Sequence, residues 1–273
     1  MVRKTSAKKS PTLETPNKKI EFFNVEDIPL DLNYLFYGRS GSGKTTILGT
    51  FPKPLLLIDT NDRGTLSIRK QKGVIVTYTK EWNDFEQLYW YLLNGGINEF
   101  RSIAIDTTTR LQDLAINRVR GATSGMVSRR VWGETSVLMR TWLFNYRNLP
   151  LITAFTAHDR IFSQDEDEDD YDDEDDGMIL PEVGPQLMPA VMKSLAGSVD
   201  VIGNTFIKEA KVKVRNKKGE KELKKVTQYC MRIGPHARYL TKFRRDNDGD
   251  SSGIPSIIVD PTYDKLLELA SGE

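Results

Sequence analysis

Short apolar runs rich in β-branched or aromatic residues recur along the chain, at 34–37, 54–58, 74–78, 103–105 and 151–155. Each is bounded by turn-forming or charged residues. Continuous apolar runs of this length suit strands covered on both faces. Helical spacing of apolar positions lies between them, over 45–50, 82–93, 109–119 and 135–148. Strand and helix in alternation predict a parallel sheet with helices on both sides. The four tryptophans, Trp82, Trp90, Trp132 and Trp142, fall in or beside these helices, where core packing is the ordinary role and ligand contact the alternative. Further on, 180–189 is rich in Pro and Gly, and 190–204 reads as a helix running toward a strand. Alternation on either side of 216–219 predicts a β-hairpin with a polar turn. A short amphipathic helix is expected from Pro261 on. The predicted organisation is a basic disordered tail over 1–19, one α/β domain over 20–269 with an acidic disordered loop inserted at 163–179, and a short tail at 270–273.

Composition narrows the class. A chain of 273 residues with 38% hydrophobic content can fill one large α/β core. A single cysteine, Cys230, rules out an intrachain disulfide and reads as a buried apolar thiol. Residues 1–19 hold six Lys/Arg, one Glu and no aromatic side chain. Such a segment buries too little surface to offset its ordering entropy, and serves either phosphate contact or solubility. It lacks the apolar run of a signal peptide. No stretch approaches the roughly 18 consecutive apolar residues of a membrane span. The expectation is a cytoplasmic protein, in the host cytoplasm if phage-encoded.

The chemistry is carried by YLFYGRSGSGKTT. Gly38, four residues, then Gly43-Lys44-Thr45 match the phosphate-binding loop, with a strand before it and a helix after it. Glycines let the backbone wrap a phosphate, with amides pointing inward and a helix N-terminus behind them. Lys44 is expected to reach the β- and γ-phosphates, and the Thr45 hydroxyl to bind Mg²⁺. Arg39, Ser40, Gly41, Ser42 and Thr46 complete the predicted cradle. FRSIAIDTTT ends a strand in Asp106, either a carboxylate for the Mg²⁺ water shell or a helix N-cap. LLLIDTNDRG offers Asp59, Asn61 and Asp62 at another strand end, as catalytic groups or as a polar turn closed by Gly64. His158 is one of two histidines, suited to a phosphate contact or to a satisfied strand-end role.

The order GRSGSGKTT, PLLLIDTND, FRSIAIDTTTRL, LPLITAFTAHDR, YLTKFR resembles the RecA-like ATPase core, and most closely the RecA-like group of Sak single-strand annealing proteins of phages. The resemblance runs from about residue 20 to 269. It implies a P-loop NTPase fold with a mostly parallel central sheet, here with a basic C-terminal hairpin. It implies ATP and Mg²⁺ at residues 38–46, metal assistance by Asp106 and γ-phosphate sensing by His158. Lys242 and Arg244 match a basic finger reaching a neighbouring subunit's nucleotide, so a homo-oligomer, ring or filament, is implied, with single-stranded DNA and a single-strand DNA-binding protein as partners. Three departures stand out. The catalytic Glu of the family falls near Asn61, which leaves Asp62 or Asp59 as substitutes. The N-terminal polymerisation element of bacterial RecA is missing, and the second DNA-binding loop coincides with an acidic block.

From 165 to 176 eleven of twelve residues are acidic, Tyr171 being the exception. Without them 39 basic side chains face 27 acidic ones, a surplus of 12. The block is a solvated insertion, a metal-binding loop or a mimic of a DNA strand, since an extended peptide and a single strand carry charges at similar spacing of about 3.4 Å. Two basic regions are candidates for DNA, with a solvated basic face as the alternative for both. One is RVRGATSGMVSRR, with Arg118, Arg120, Arg129, Arg130 and Trp132. The other is the hairpin, with Lys213, Arg215, Lys217, Lys218, Lys224 and Lys225. The expected function is ATP-dependent strand annealing or recombination. A kinase or motor of another P-loop class, and a nucleotide-regulated assembly module that does not bind DNA, are the alternatives.

Overall fold

The structure is a computed structural model and describes residues 13–15, 18–20, 24, 31–60, 63–162, 182–215, 221–245 and 253–272. The acidic block, Asn61, Asp62 and the 216–219 turn lie outside the described residues. The chain divides into two units, Met1–Asp31 and Leu32–Glu273. In the first, β1 (Leu13–Thr15) and β2 (Lys18–Ile20) pair antiparallel, within the stretch expected to be disordered.

The second unit alternates strand and helix as the apolar pattern requires. It runs β3 (Tyr34–Tyr37), α1 (Lys44–Leu48), β4 (Leu55–Asp59), β5 (Val74–Tyr78), α2 (Trp82–Leu93), β6 (Ser102–Asp106), α3 (Thr108–Arg120), α4 (Arg129–Arg147) and β7 (Ile152–Ala157). There follow β8 (Asp159–Ile161), β9 (Val183–Pro185), α5 (Pro189–Ser198), β10 (Val201–Arg215), β11 (Lys221–Arg232), β12 (Lys242–Phe243), β13 (Ile257–Val259) and α6 (Tyr263–Ser271). The main sheet has the order β13-β11-β10-β3-β7-β6-β4-β5, with β12 also paired to β10. From β10 to β5 every pairing is parallel, whereas β11, β12 and β13 add antiparallel. The chain is therefore α/β with a mostly parallel central sheet, and a long antiparallel hairpin extends from it. No helix among the described residues is long and apolar enough to cross a membrane.

Every residue of β3, β4 and β6 is buried, as strands covered on both faces must be. Alternation along the strands divides the core. Leu35, Tyr37, Ile58, Ile105 and Phe155 join the cluster that includes Trp82, Phe85, Leu111, Met139, Tyr146 and Leu195 from α2, α3, α4 and α5. Tyr34 and Phe36 turn to the other face and meet Phe51, which in turn packs on Tyr263 of α6. β5, at the edge, is only half covered. Among the tryptophans, Trp82 is buried and stands edge-on to Trp142, while Trp90 and Trp132 are exposed.

One helix boundary differs markedly from the pattern-based expectation. α4 begins at Arg129, not 135, because the Ser128 hydroxyl caps it by accepting from the Val131 amide at 3.3 Å. Arg129 and Arg130 thus stand on a helix, and the loop is shorter than the Gly/Ser content suggested. The expected hairpin is present, with twelve paired positions from Asn204↔Arg232 to Arg215↔Lys221.

Candidate functional site

The parallel strands end on one side of the sheet, and β3, β4, β6 and β7 bring their C-terminal residues together there. This is where ligands collect in such sheets. The loop from Gly38 to Gly43 leaves β3 and enters α1. β6, which ends in Asp106, is not the direct neighbour of β3, because β7 lies between them. Asp106 reaches the loop regardless, through its side chain.

Lys44 is buried and folds back over the loop, its Nζ donating to the Gly38 carbonyl at 2.6 Å and the Arg39 carbonyl at 3.0 Å. The ammonium is thus held inside the turn, where phosphate oxygens would replace carbonyls. Thr45 Oγ1 donates to Asp106 Oδ2 at 2.7 Å. Thr156, on β7, donates to Asp106 Oδ1. Asp59 closes β4 directly opposite Asp106 in register, is buried, and accepts from Thr65 Oγ1 at 3.3 Å. Thr60 locks the two strand ends, its Oγ1 accepting from the Thr107 amide at 3.0 Å while its own amide donates to the Asp106 carbonyl at 3.0 Å. The helix N-cap role considered for Asp106 belongs instead to Thr107, whose hydroxyl accepts from the Arg110 amide at 3.2 Å.

Burial pushes the Asp106 carboxyl above the usual carboxylate range. The Thr156 and Thr45 hydroxyls and the Lys44 ammonium pull the other way, and Asp59 adds to the upward push. A buried carboxylate of this kind gains from a cation. Thr45 and Asp106 offer a hydroxyl and a carboxylate oxygen already within hydrogen-bond distance, hard donors of the kind Mg²⁺ takes beside phosphate oxygens and water. Gly64 keeps this corner open. A Cβ there would sit 2.6 Å from Thr45 Oγ1 and 2.9 Å from Asp106 Oδ2. The residues fit Mg²⁺.

Lys44, Thr45, Gly64 and Asp106 line a cavity of about 380 Å³, together with Ser40, Gly41, Gly43, Thr46, Arg63, Leu66, Ser67, Thr107, His158 and Tyr229. That volume lies in the range of small-molecule sites. His158 follows β7, its amide donating to Thr109 Oγ1 at 3.0 Å and its carbonyl accepting from the Gln186 amide at 2.7 Å. Of the predicted cradle, Ser42 is buried and its hydroxyl is 2.6 Å from Thr205 Oγ1 on β10. Several residues of the site escaped the sequence reading, among them Arg63 and Tyr229 in the cavity and Thr156 behind Asp106. Arg63 lies within the strand-end stretch already singled out, between Asp62 and Gly64. Thr156 sits in the FTAHD segment without a charge to draw notice. Tyr229 comes from the far strand of the hairpin, and nothing local marks it.

Other predicted residues are elsewhere. Lys242 donates to the Ala196 carbonyl at 2.9 Å and the Gly197 carbonyl at 3.3 Å, at the end of α5. Burial and the neighbouring Arg244 lower the pKa of its amine, against the pull of Asp200. Arg244 pairs with Asp200 at 2.8 Å. Neither lines the cavity of its own chain, so a role at a nucleotide requires a second copy. Arg120 closes its own loop, donating to the Ala122 and Gly125 carbonyls at 3.0 and 2.6 Å and to Asn117 Oδ1 at 3.0 Å. Arg130 pairs with Glu134 at 2.7 Å. Arg118 lines a separate cavity beside α2, and Arg129 is exposed in the first turn of α4. Trp132 lines another cavity of about 410 Å³ with Arg160, Phe162 and Met188. Lys213 and Arg215 fall on β10, whereas Lys217, Lys218 and Asp62 lie outside the described residues.

Comparison with known proteins bears on identity. Among solved structures, similarity extends to an ATPase from the type III secretion system of pathogenic bacteria. The identity is 12%, with 64% of this chain and 51% of that one covered and a TM-score of 0.41. It also extends to the Legionella pneumophila ATPase DotB, at 9% identity over 75% of this chain and 46% of that one, with a TM-score of 0.27. The chain spans about half the length of these proteins. No curated protein matches it. A family model described as an AAA domain matches residues 31–245, the stretch that holds the loop, Asp59, Asp106 and His158. The chain therefore belongs to the AAA domain family, within the P-loop NTPases, whose fold binds nucleotide.

Proposed function

We propose that this chain holds ATP and Mg²⁺ in the loop of residues 38–46, binds single-stranded DNA, and promotes strand annealing or recombination in a phage as a RecA-like homo-oligomer. The observation that carries the nucleotide part is the convergence of Lys44, Thr45, Asp106 and His158 on one cavity. In this reading Lys44 exchanges the carbonyls of Gly38 and Arg39 for phosphate oxygens. Thr45 and Asp106 hold Mg²⁺, which supplies charge neutralisation for the triphosphate. His158 contacts the terminal phosphate. Asp62, or Asp59 buried at the adjacent strand end, takes the place of the catalytic Glu in orienting water. Lys242 and Arg244 act on a neighbouring copy's nucleotide, where positive charge stabilises the transferring phosphoryl group.

The DNA part rests on charge and aromatics. Outside 165–176 the chain carries a surplus of 12 basic side chains. Fourteen of its Lys/Arg lie between 208 and 245, against three Glu. Trp132 and Phe162 with Arg160 offer stacking faces beside Arg129, the combination that suits single strands. ATP turnover with and without single-stranded DNA, followed together with light scattering, tests the proposal. DNA-stimulated turnover with ATP-dependent assembly is expected. Phosphate transfer to a small acceptor would identify a kinase instead, and assembly indifferent to DNA would leave only a nucleotide-regulated module.

A further inference from the structure

The phosphate-binding groups account for one side of the 380 Å³ cavity. The hairpin supplies the other. Tyr229 stands on β11 opposite Ile207 of β10, and the sheet fixes its position. β10 pairs with β3, Thr205 Oγ1 donates to the Tyr37 carbonyl at 3.2 Å, and the same hydroxyl meets Ser42 Oγ at 2.6 Å. The Asp260 amide donates to the Tyr229 carbonyl at 2.7 Å, which secures β11 from its outer side.

The ring lies directly on the phosphate loop. A Cβ placed on Gly43 would be 3.0 Å from its Cδ1, and 3.6 and 3.7 Å from Cγ and Cε1. Gly43 also has a φ of 95°, so that both backbone and neighbour require glycine. Despite this contact Tyr229 remains 43% exposed, with part of its ring open to the cavity. The ring packs on Gly43 with one part and leaves the rest uncovered at the mouth of a polar site, where a ligand can meet it. Its π-face suits a flat heterocycle, and base–aromatic stacking accepts any base.

We propose that Tyr229 recognises the base of the nucleotide, stacking on the purine of a nucleoside triphosphate whose phosphates occupy the loop. This rests on the loop's reading as a triphosphate site. Affinity for the nucleoside over bare polyphosphate then comes from the hairpin, with little preference between adenine and guanine.

Calorimetric titrations of the full chain with ATP, GTP and inorganic tripolyphosphate, each with Mg²⁺, test it. Tyr229→Leu, which keeps an apolar strand residue, is expected to weaken ATP and GTP about tenfold or more, as loss of one stacked base does. Tripolyphosphate affinity stays within about twofold, below the smallest stacking contribution. Tyr229→Phe keeps the wild-type values, and it reports on the ring even if the leucine variant fails to fold. ATP affinity unchanged in Tyr229→Leu, or ATP and tripolyphosphate weakened equally, overturns the assignment. So does a Tyr229→Phe variant that loses ATP, since stacking does not need the hydroxyl. Lys44→Ala separates the two levels, because it should lose all three ligands. If the unaltered chain binds none of them, the phosphate-site reading falls and Tyr229 falls with it.

Discussion

Asp106 is held under opposing demands. Burial favours its protonated form, while hydroxyls from Thr45 and Thr156 and the charge of Lys44 favour the carboxylate. A group whose folded pKa lies above its unfolded one contributes full stability below the unfolded value and loses it as pH rises through the folded one. The charged carboxylate therefore weakens the nucleotide-free fold toward neutral pH. Asp106→Asn should melt higher than the parent at pH 7.5 and lose that advantage toward pH 4.5, as followed by thermal melts. It should also lose Mg²⁺-dependent nucleotide binding. A variant less stable than the parent at both pH values would contradict this. Gly64→Ala tests the same corner by volume. Its methyl group collides with Thr45 Oγ1 and Asp106 Oδ2. Overpacking of this kind costs about 1–3 kcal/mol of fold stability, and Mg²⁺–nucleotide affinity should fall with the displaced Thr45 and Asp106 oxygens. Lys44, Thr45 and Asp106 were readable in advance because each sits in a motif whose spacing reflects its chemistry. Gly64 was read only as a turn residue, because its closeness to Asp106 arises from the pairing of β4 with β6.

The hairpin of β10 and β11 extends from the sheet that carries the phosphate loop. Its root is held by Arg232, which donates to Asn204 Oδ1 at 2.8 Å and stacks 3.7 Å over Phe206 and 4.3 Å over Tyr239. Asn204 Nδ2 in turn reaches the Tyr37 carbonyl at 3.4 Å. Arg232→Ala removes a charged hydrogen bond and two ring contacts. A destabilisation of about 2 kcal/mol is expected in urea unfolding, from a charged hydrogen bond plus cation–π terms. No measurable change would show that the root is held by the strand pairing alone. Strands and helices of the parallel region were readable because burial on both faces leaves uninterrupted apolar runs. The early start of α4 was not, since a single serine cap outweighed the Gly- and Arg-rich composition around it. The insertion of β7 between β3 and β6, and the arrival of Tyr229 over Gly43, are products of pairing between distant segments. No local periodicity encodes them.

Charge is distributed unevenly over the chain, with eleven acids in one block and a surplus of 12 bases elsewhere. If the block acts in place of a nucleic-acid strand, deleting 165–176 should tighten single-stranded DNA binding. The gain should be largest at low salt, because ion-pair contributions fall as salt rises. Unchanged affinity across several salt concentrations would make the block a solubilising insertion. The fold and the AAA domain match place the chain among nucleotide-binding P-loop NTPases, and in the proposed reading residues 38–46, with Lys44, Thr45 and Asp106, grip a triphosphate. The most direct test is the structure of the chain with Mg²⁺ and a non-hydrolysable ATP analogue. It should show the triphosphate in this loop, with the Lys44 ammonium moved from the Gly38 and Arg39 carbonyls onto phosphate oxygens. A triphosphate bound elsewhere, with Lys44 still on those carbonyls, would contradict the account.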